Sequence, residues 1–164
     1  MDYILDEQQS NNEEVRYAGF GKRFAAAILD SLILYFANWM LVENLFGLGM
    51  PSGFAFGYEF NYSDWISTMA SYTMASYAIN WLYHAFLESS NQQGTIGKLV
   101  LGIIVVDENT GGRISFAKAT GRYFGKILSG LILAIGYLMM LWSPKEQTLH
   151  DILAKTLVVR KPQA

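Results

Sequence analysis

The apolar residues of this chain are clustered into three long blocks, at residues 24–46, 66–87 and about 123–142. Each block is long enough to cross or enter the hydrocarbon core of a bilayer, which is about 30 Å thick. Only 16% of the residues are charged, whereas about a quarter are charged in an average soluble domain. The sequence therefore predicts an α-helical integral membrane protein with two transmembrane helices and a third membrane-embedded segment.

The Lys and Arg residues are distributed unevenly between the blocks. The aromatic connection 47–65 contains none, whereas the polar segment 88–123 contains four. Since Lys and Arg are enriched in cytoplasmic loops, we expect a multi-pass protein of the cell (cytoplasmic) membrane. Its N-terminus, its middle segment and its C-terminus are all predicted to be cytoplasmic. Residues 1–20 are predicted to form a flexible acidic tail, and residues 161–164 a short C-terminal tail.

The third block is either a full span or a re-entrant segment. Three full crossings from a cytoplasmic N-terminus would leave the basic C-terminal segment outside, against the distribution of positive charge. A re-entrant segment broken near Gly136 keeps that segment inside, and irregular backbone is tolerated in a membrane where it is buried against protein. We therefore favour the re-entrant alternative.

The polar segments 93–122 and 143–160 are predicted to form a small cytosolic module of a β-hairpin and a helix. Leu99–Val106 is rich in β-branched residues and precedes a cluster of turn-forming residues. This pattern predicts a strand followed by a hairpin turn.

The C-terminal part of this module is predicted to contain a helix and a strand. Ser143-Pro144-Lys145-Glu146 has a Ser, a Pro and a Glu at positions typical of a helix start, so we expect a helix from there to about Lys155. Thr156–Arg160 is predicted to be a strand. If it pairs with Leu99–Val106, both strands lie in one compartment.

Two charged residues lie on one side of the first block. Arg23 and Asp30 are seven residues apart, a separation that returns to nearly the same face of a helix. An unpaired carboxylate inside the membrane costs a few kcal/mol. Asp30 is therefore predicted either to bind a proton or cation, or to form a structural clamp with Arg23 or another basic group, and we favour the clamp.

A second set of polar residues follows one side of the second block. Asn80, His84 and Glu88 recur every four residues. This stripe is typical either of a proton relay, because a His titrates near neutral pH, or of hydrogen bonding between membrane helices. We favour hydrogen bonding.

The sequence contains no complete catalytic signature. It has no Cys and only two His, so thiolate sites and multi-histidine metal centres are excluded. Gly94–Lys98 lacks the spacing of a phosphate-binding loop, and neither the His-Glu-x-x-His nor the Gly-x-Ser-x-Gly motif occurs. We expect a non-enzymatic protein with no cofactor, no bound metal and no nucleic-acid partner.

A family resemblance rests on three groups of residues. They are Arg23 with Asp30, then Gln93–Lys98 (QGTIGK), and finally Gln147–Asp151 (QTLHD) with the terminal TLVV. Together they resemble the RDD family of small bacterial membrane proteins, named for one arginine and two aspartates. The resemblance assigns these to Arg23, Asp30 and Asp151 and covers a membrane domain at about 21–160. Many relatives have a glycine where this chain has Lys155.

The resemblance implies a multi-pass membrane protein and two alternative functions. One is regulation, as inhibitor, of a membrane-bound signal peptide peptidase, which is attached to Bacillus-like members of about this size. The other is transport, such as cation/proton antiport by a small homo-oligomer. Two or three membrane segments are too few to enclose a path with two gates, whereas secondary transporters usually pair whole repeats. We therefore prefer the regulator, with the lipid bilayer and a membrane protein as its partners.

Overall fold

The computed structural model describes residues 16–45, 61–131 and 135–161. The acidic tail before residue 16, most of the aromatic connection and the end of the C-terminal tail lie outside the described residues. Two compact units are distinguished. One is formed by residues up to Asp30 together with those from Tyr83 onward, and the other by Ser31–Leu82.

The first predicted span is a helix. α1 covers Phe20–Asn38 and continues as π-helical turns over Trp39–Leu45. Its 23-residue stretch Phe20–Val42 is the one helix among the described residues that is both long enough and apolar enough to cross a membrane. The helix therefore begins four residues before the predicted block.

The second predicted span is also a helix, but its composition differs from that of a typical span. α2 covers Tyr62–Glu88, 27 residues, or about 40 Å. The Asn61 side chain accepts a hydrogen bond from the backbone N–H of Ser63 (3.1 Å), and Asp64 lies in the first turn, where a negative charge is favourable. Its many Ser, Thr and Tyr residues make α2 less apolar than α1.

The third block is not one continuous helix within the described residues. A short helix, α3 (Ile96–Val100), precedes strand β1 (Ile103–Asp107), and the long helix α4 (Phe116–Leu131) then begins seven residues before the predicted block. Helix α5 (Ile135–Leu138) and one 3-10 turn (Met139–Leu141) follow it.

The predicted β-hairpin is wrong, although the two strands do pair. β1 pairs antiparallel with β2 (Thr156–Arg160), with Val105 opposite Val158. The turn after β1 leads into α4 instead of a partner strand. It is closed by the Asp107 carbonyl, which accepts from Gly111 (2.8 Å), and by the left-handed backbone of Gly111 (φ 64). The predicted first strand also began too early, because α3 occupies Leu99 and Val100.

The helix predicted from Ser143 to Lys155 is shorter than expected. α6 covers only Leu149–Ala154, and the Asp151 carboxylate accepts from the backbone N–H of Thr148 (3.2 Å) at its start. Glu146 has a positive φ of 48, which right-handed helical backbone does not allow. Lys155 ends the helix in the same left-handed region (φ 51), where glycine is favoured.

The strands bring three distant parts of the chain together. Ile104, Val106, Leu157 and Val159 form a buried cluster, against which Tyr17 packs. The segment before α1 adds to the β2 edge, since the Ala18 N–H donates to the Val158 carbonyl and the Arg160 N–H to the Arg16 carbonyl, both at 2.9 Å. Residues that precede α1 and residues that follow α2 therefore lie on the same side of any membrane that these two helices cross.

This pairing predicts that both ends of the chain face one compartment. Reporter domains fused before Met1 and after Ala164 are expected to report the same side, whereas a reporter inserted at Ser52 should report the opposite side. A phosphatase that is active only outside, compared with a fluorescent protein that folds only inside, makes the measurement. Opposite locations for the two terminal fusions would contradict the strand pairing.

Candidate functional site

Charged side chains from five helices meet in one unit of the structure. They form a connected set of ion pairs, called here the ion-pair network, in which four cations contact two carboxylates. Its members are Arg23, Glu88, Lys98, Arg122, Lys126 and Asp151.

Arg122 lies at the centre of the network and links the two carboxylates. Its Nη2 and Nε lie 2.6 and 2.9 Å from Oδ1 of Asp151, and its Nη1 lies 3.1 Å from Oε2 of Glu88. The side chain is only 2% exposed. Burial lowers the pKa of Arg122, but Asp151 and Glu88 outweigh burial and raise it above its usual value. The guanidinium therefore stays charged and bridges α2, α4 and α6.

Arg23 ties the first helix to the same network. Its Nη1 donates to Oδ2 of Asp151 at 2.5 Å, across 128 residues of sequence. Its remaining donors are used locally, Nε on the Ala18 carbonyl and Nη2 on the Glu146 carbonyl, both at 2.7 Å. Burial raises the pKa of Asp151, but Arg122 and Arg23 outweigh burial and hold this pKa well below the usual range. Asp151 is therefore a permanent anion between two guanidinium groups.

Glu88 is the second anion of the network. Its Oε1 accepts from Lys98 Nζ at 2.7 Å, lies 3.4 Å from Lys126 Nζ, and is 3.6 Å from Nδ1 of His84. Lys126 Nζ also lies 3.2 Å from the same His84 nitrogen. Burial lowers the pKa of Lys98 to about 7, with Glu88 opposing this change and Arg122 and Lys126 adding to it.

Asp30 is buried among neutral donors, so the predicted pairing with a basic group is wrong. Its Oδ1 accepts from the Tyr83 hydroxyl (2.7 Å) and the Gly97 N–H (2.8 Å), and its Oδ2 accepts from the Thr95 hydroxyl (2.6 Å). Arg23 lies about 10 Å away along α1 and contacts Asp151 instead. Three hydrogen bonds to one carboxylate satisfy it without a counter-charge.

Gly97 allows α3 to approach α1 at this point. A Cβ atom built on Gly97 would lie 2.9 Å from Oδ1 of Asp30 and closer still to the Ala26 carbonyl. No side chain fits there without movement. The QGTIGK segment is therefore a close-packed cradle for Asp30, which explains why Thr95 and Gly97 are present.

The predicted polar stripe on α2 is divided by the structure. Glu88 belongs to the ion-pair network, and His84 contacts its member Lys126. The Asn80 amide instead donates to the Ser76 carbonyl (2.8 Å) within the same helix. The motifs in the sequence assign no site role to Arg122 or Lys126. For Arg122 the signal in the sequence is its recurrence at helical spacing with the small residues Ala119, Gly125 and Ser129, and all four are buried in the structure.

His150 is buried beside the network. Its Nε2 lies 2.9 Å from the Thr148 hydroxyl, and its backbone packs against Gly125, where an added Cβ would meet His150 Cβ at 3.0 Å. Burial lowers the pKa of His150 to about 3, so the ring is neutral. The Ser129 hydroxyl is 3.4 Å from its Nδ1 but donates to the Gly125 carbonyl. The Ser129 hydroxyl therefore has a structural role.

The charged groups of this site are paired with one another or hydrogen-bonded to neighbouring residues. Every cation of the network contacts a carboxylate, and the buried carboxylate of Asp30 has three donors. Within the part of the chain that the structure describes, no group of three or more His, Asp or Glu side chains is placed to hold a metal ion. The network is therefore suited to fastening helices together.

Comparison with known proteins identifies relatives along most of the chain. The matching family model is that of the RDD family, over residues 17–155. The chain is 36% identical to "Uncharacterized protein YxaI" of Bacillus subtilis, with 88% of this chain and 97% of the relative covered. It is 30% identical to "Uncharacterized membrane protein YteJ" of the same organism, with 88% and 82% covered. No solved structure gives a match.

A shorter match reaches a protein of another bacterial group. Over 72 residues the chain is 39% identical to "Proline-rich antigen homolog" of Mycobacterium tuberculosis, which covers 42% of this chain and 30% of that protein. This match is confined to part of the chain, whereas the two Bacillus relatives match it almost from end to end.

Replacing the central arginine is expected to destabilise the protein strongly. Arg122→Gln leaves Glu88 and Asp151 buried with fewer counter-charges, and removing one member of a buried ion pair costs about 3–5 kcal/mol of unfolding free energy. The matched control is Lys145→Gln, whose side chain is 49% exposed and pairs with Glu108 at 2.8 Å. That exposed pair is worth at most about 1 kcal/mol. Unfolding of both variants in detergent provides the measurement, and equal stabilities would contradict the central role of Arg122.

Filling the space at Gly97 is expected to displace α3 from Asp30. Gly97→Ala places a methyl group against the Ala26 carbonyl and the Asp30 carboxylate, and such overpacking typically costs about 1–3 kcal/mol. Gly121→Ala is the control, because nothing lies within 4 Å of an added Cβ there. In a helix interior that change is neutral or stabilising by up to about 1 kcal/mol. Thermal unfolding of the two variants checks the difference, and an unchanged midpoint for Gly97→Ala would refute the close approach.

Proposed function

Because this chain belongs to the RDD family and is a membrane protein, we propose that it acts as a regulatory partner of another membrane protein. In this proposal it binds the partner through α2 and turns over no substrate. The partner to test first is a membrane-bound signal peptide peptidase, the class implied by the resemblance to small Bacillus-like members. Inhibition is the proposed direction of regulation.

The exposed surface of α2 is the observation that carries this proposal. The helix is about 40 Å long, and its buried residues, Ala85 and Glu88, lie near its C-terminal end. Ser67 and Ser71, spaced four residues apart, are exposed, and Met74 and Ala78 continue the same face. Small residues at this spacing allow another helix to approach closely, and hydroxyls supply hydrogen bonds across the contact.

The hydroxyl groups on this face retain hydrogen-bonding capacity. The Ser71 hydroxyl donates to the Ser67 carbonyl (2.8 Å), and the Ser67 hydroxyl donates to the Asp64 carbonyl (3.0 Å). Each oxygen still has lone pairs with which to accept from a partner. A lipid tail offers no donor, whereas a polar residue on a neighbouring helix does. A protein partner therefore suits this face better than lipid.

The ion-pair network favours a partner role over transport. A carrier of protons or cations needs carboxylates that exchange their ligands, whereas Asp151 is held by two arginines and Asp30 by three neutral donors. The charges are thus committed to holding the fold. We also propose that α1 and α2 both cross the membrane, with the N-terminus and C-terminus in the cytoplasm, where basic residues accumulate.

Affinity capture from native membranes tests the proposal. The tagged chain is compared with Ser71→Leu, which fills the small face, and with Thr73→Leu. Thr73 is also exposed but lies on another side of α2, so the control makes the same kind of change outside the proposed contact. We expect the native chain and Thr73→Leu to recover a membrane peptidase and lower its activity. Ser71→Leu should recover at least tenfold less of the peptidase than the native chain does.

A transport assay is run beside the capture experiment. The purified chain in proteoliposomes is supplied with a sodium or potassium gradient, and proton movement is followed with a pH-sensitive dye. Robust flux that is abolished by Asp30→Asn would overturn the regulator in favour of transport. Equal capture by Ser71→Leu and Thr73→Leu would refute the proposed contact face, and recovery of only further copies of the chain would replace the peptidase with a homo-oligomer.

A further inference from the structure

Helix α4 has the reverse of the polarity found in a soluble protein. Its buried face carries small and charged residues, whereas its exposed face carries large apolar ones. Arg122 is buried at the centre of the inner face, while Phe124, on the outer face, is 56% exposed. In water, an amphipathic helix turns its apolar stripe inward. The polarity of α4 is that of a helix surrounded by an apolar solvent. The exposed residues are Phe116, Phe124, Ile127 and Leu128.

The two short helices of the same unit show the same polarity. On α3, Val100 is 68% exposed and Ile96 is also exposed, while Lys98 between them is buried. On α6, Leu153 is 57% exposed and Asp151 is fully buried. Exposed charged residues lie instead on turns and at strand ends, namely Arg113, Lys145, Lys155 and Arg160. The helices of this unit therefore expose apolar side chains, whereas its turns and strand ends expose charged ones.

The contacts along α1 fix the position of α3 along the axis of that helix. Arg23 contacts α6, and Asp30, about 10 Å further along the helix axis, contacts the start of α3. Phe24 and Ile28 lie between these two points and are themselves exposed. Among the described residues α1 is the helix that is long and apolar enough to cross a membrane. In a membrane that α1 crosses, the α3 cradle lies beside a part of α1 that is within the hydrocarbon.

From these placements we infer that α3, α4 and α6 are inserted into one leaflet of the bilayer, with their exposed apolar side chains against lipid acyl chains. This differs from the sequence-based expectation of a small cytosolic module at 93–122 and 143–160. The exposed apolar side chains of α3, α4 and α6 resemble those of α1. They are therefore spread over four helices, whereas a single docked partner covers one patch. Acyl chains are the occupant that fits this distribution.

The ion-pair network lowers the free-energy cost of placing these charged residues in the bilayer. Charges in a low-dielectric environment are tolerated when they are paired and fully hydrogen-bonded. Each network cation has a carboxylate partner, and Asp30 has three donors. The inference concerns where the unit lies and does not depend on the proposed regulatory function.

The chain contains no cysteine, so single-cysteine spin labels report individual positions without background. Val100→Cys, Phe124→Cys and Leu153→Cys place one label on each of α3, α4 and α6 at exposed sites, where substitution leaves the buried network intact. Asn109→Cys, on the exposed turn after β1, is the water-facing control, and Leu32→Cys on α1 is the lipid-facing control. Each variant is reconstituted in phosphatidylethanolamine and phosphatidylglycerol bilayers.

The measurement is the accessibility of each label to oxygen, which concentrates in hydrocarbon, relative to a water-soluble nickel chelate. We expect the α3, α4 and α6 labels to resemble the Leu32 label, with an oxygen-to-nickel ratio at least several-fold above that of Asn109. Ratios equal to that of Asn109 would overturn the inference by placing the helices in water. Shielding from both reagents would also overturn it, because a protein partner or second copy would then cover the surface.

Discussion

A buried guanidinium group between two carboxylates is the interaction on which this structure depends. Arg122 bridges Glu88 on α2 and Asp151 on α6, and Arg23 extends the same network to α1. Removing either carboxylate leaves buried cations without a counter-charge in a low-dielectric surrounding, which is far more costly than losing an exposed pair. The helices are therefore held together by ionic contacts where a soluble protein would use an apolar core.

Arg23, Asp30 and Asp151, the residues that the resemblance assigns to the family motif, have two different structural roles. Arg23 and Asp151 form one direct pair that closes the chain on itself, joining the first helix to the C-terminal module. Asp30 takes no part in that pair and instead receives three neutral donors from α2 and the α3 cradle. Together they fix two points along α1, so that the module cannot slide or rotate on the helix.

The distribution of polarity connects this fold to the membrane. In the unit that holds the ion-pair network, the network charges are buried and apolar side chains are exposed on the helices. Exposed charged groups of this unit, such as Arg113, Lys145 and Arg160, lie on turns and at strand ends. The proposed partner surface on α2 differs from these lipid-suited helices because it exposes hydroxyls and small residues. Lipid and protein partners would thus be separated by chemistry, with acyl chains on the apolar helices and another membrane helix on α2.

Local pattern in the sequence was sufficient to predict several elements. The apolar block of α1, the long helix α2 and the strand Thr156–Arg160 follow from composition and periodicity, and the RDD family follows from motif. Each of these depends on residues that are close together in sequence or on recognisable motif spacing. The reverse polarity of α4 was not recognised, since an outward apolar face gives the same periodicity as an inward one.

Only the tertiary structure decided which groups meet. The Arg23–Asp151 pair spans 128 residues, and no local signal distinguishes it from the expected pairing of Asp30 with a base. The predicted hairpin was wrong because β1 pairs with a strand about fifty residues away, and the predicted start of α6 was wrong because Glu146 has a left-handed backbone. Helix and strand propensities act over a few residues, whereas the burial and pairing of charge are set by the whole fold.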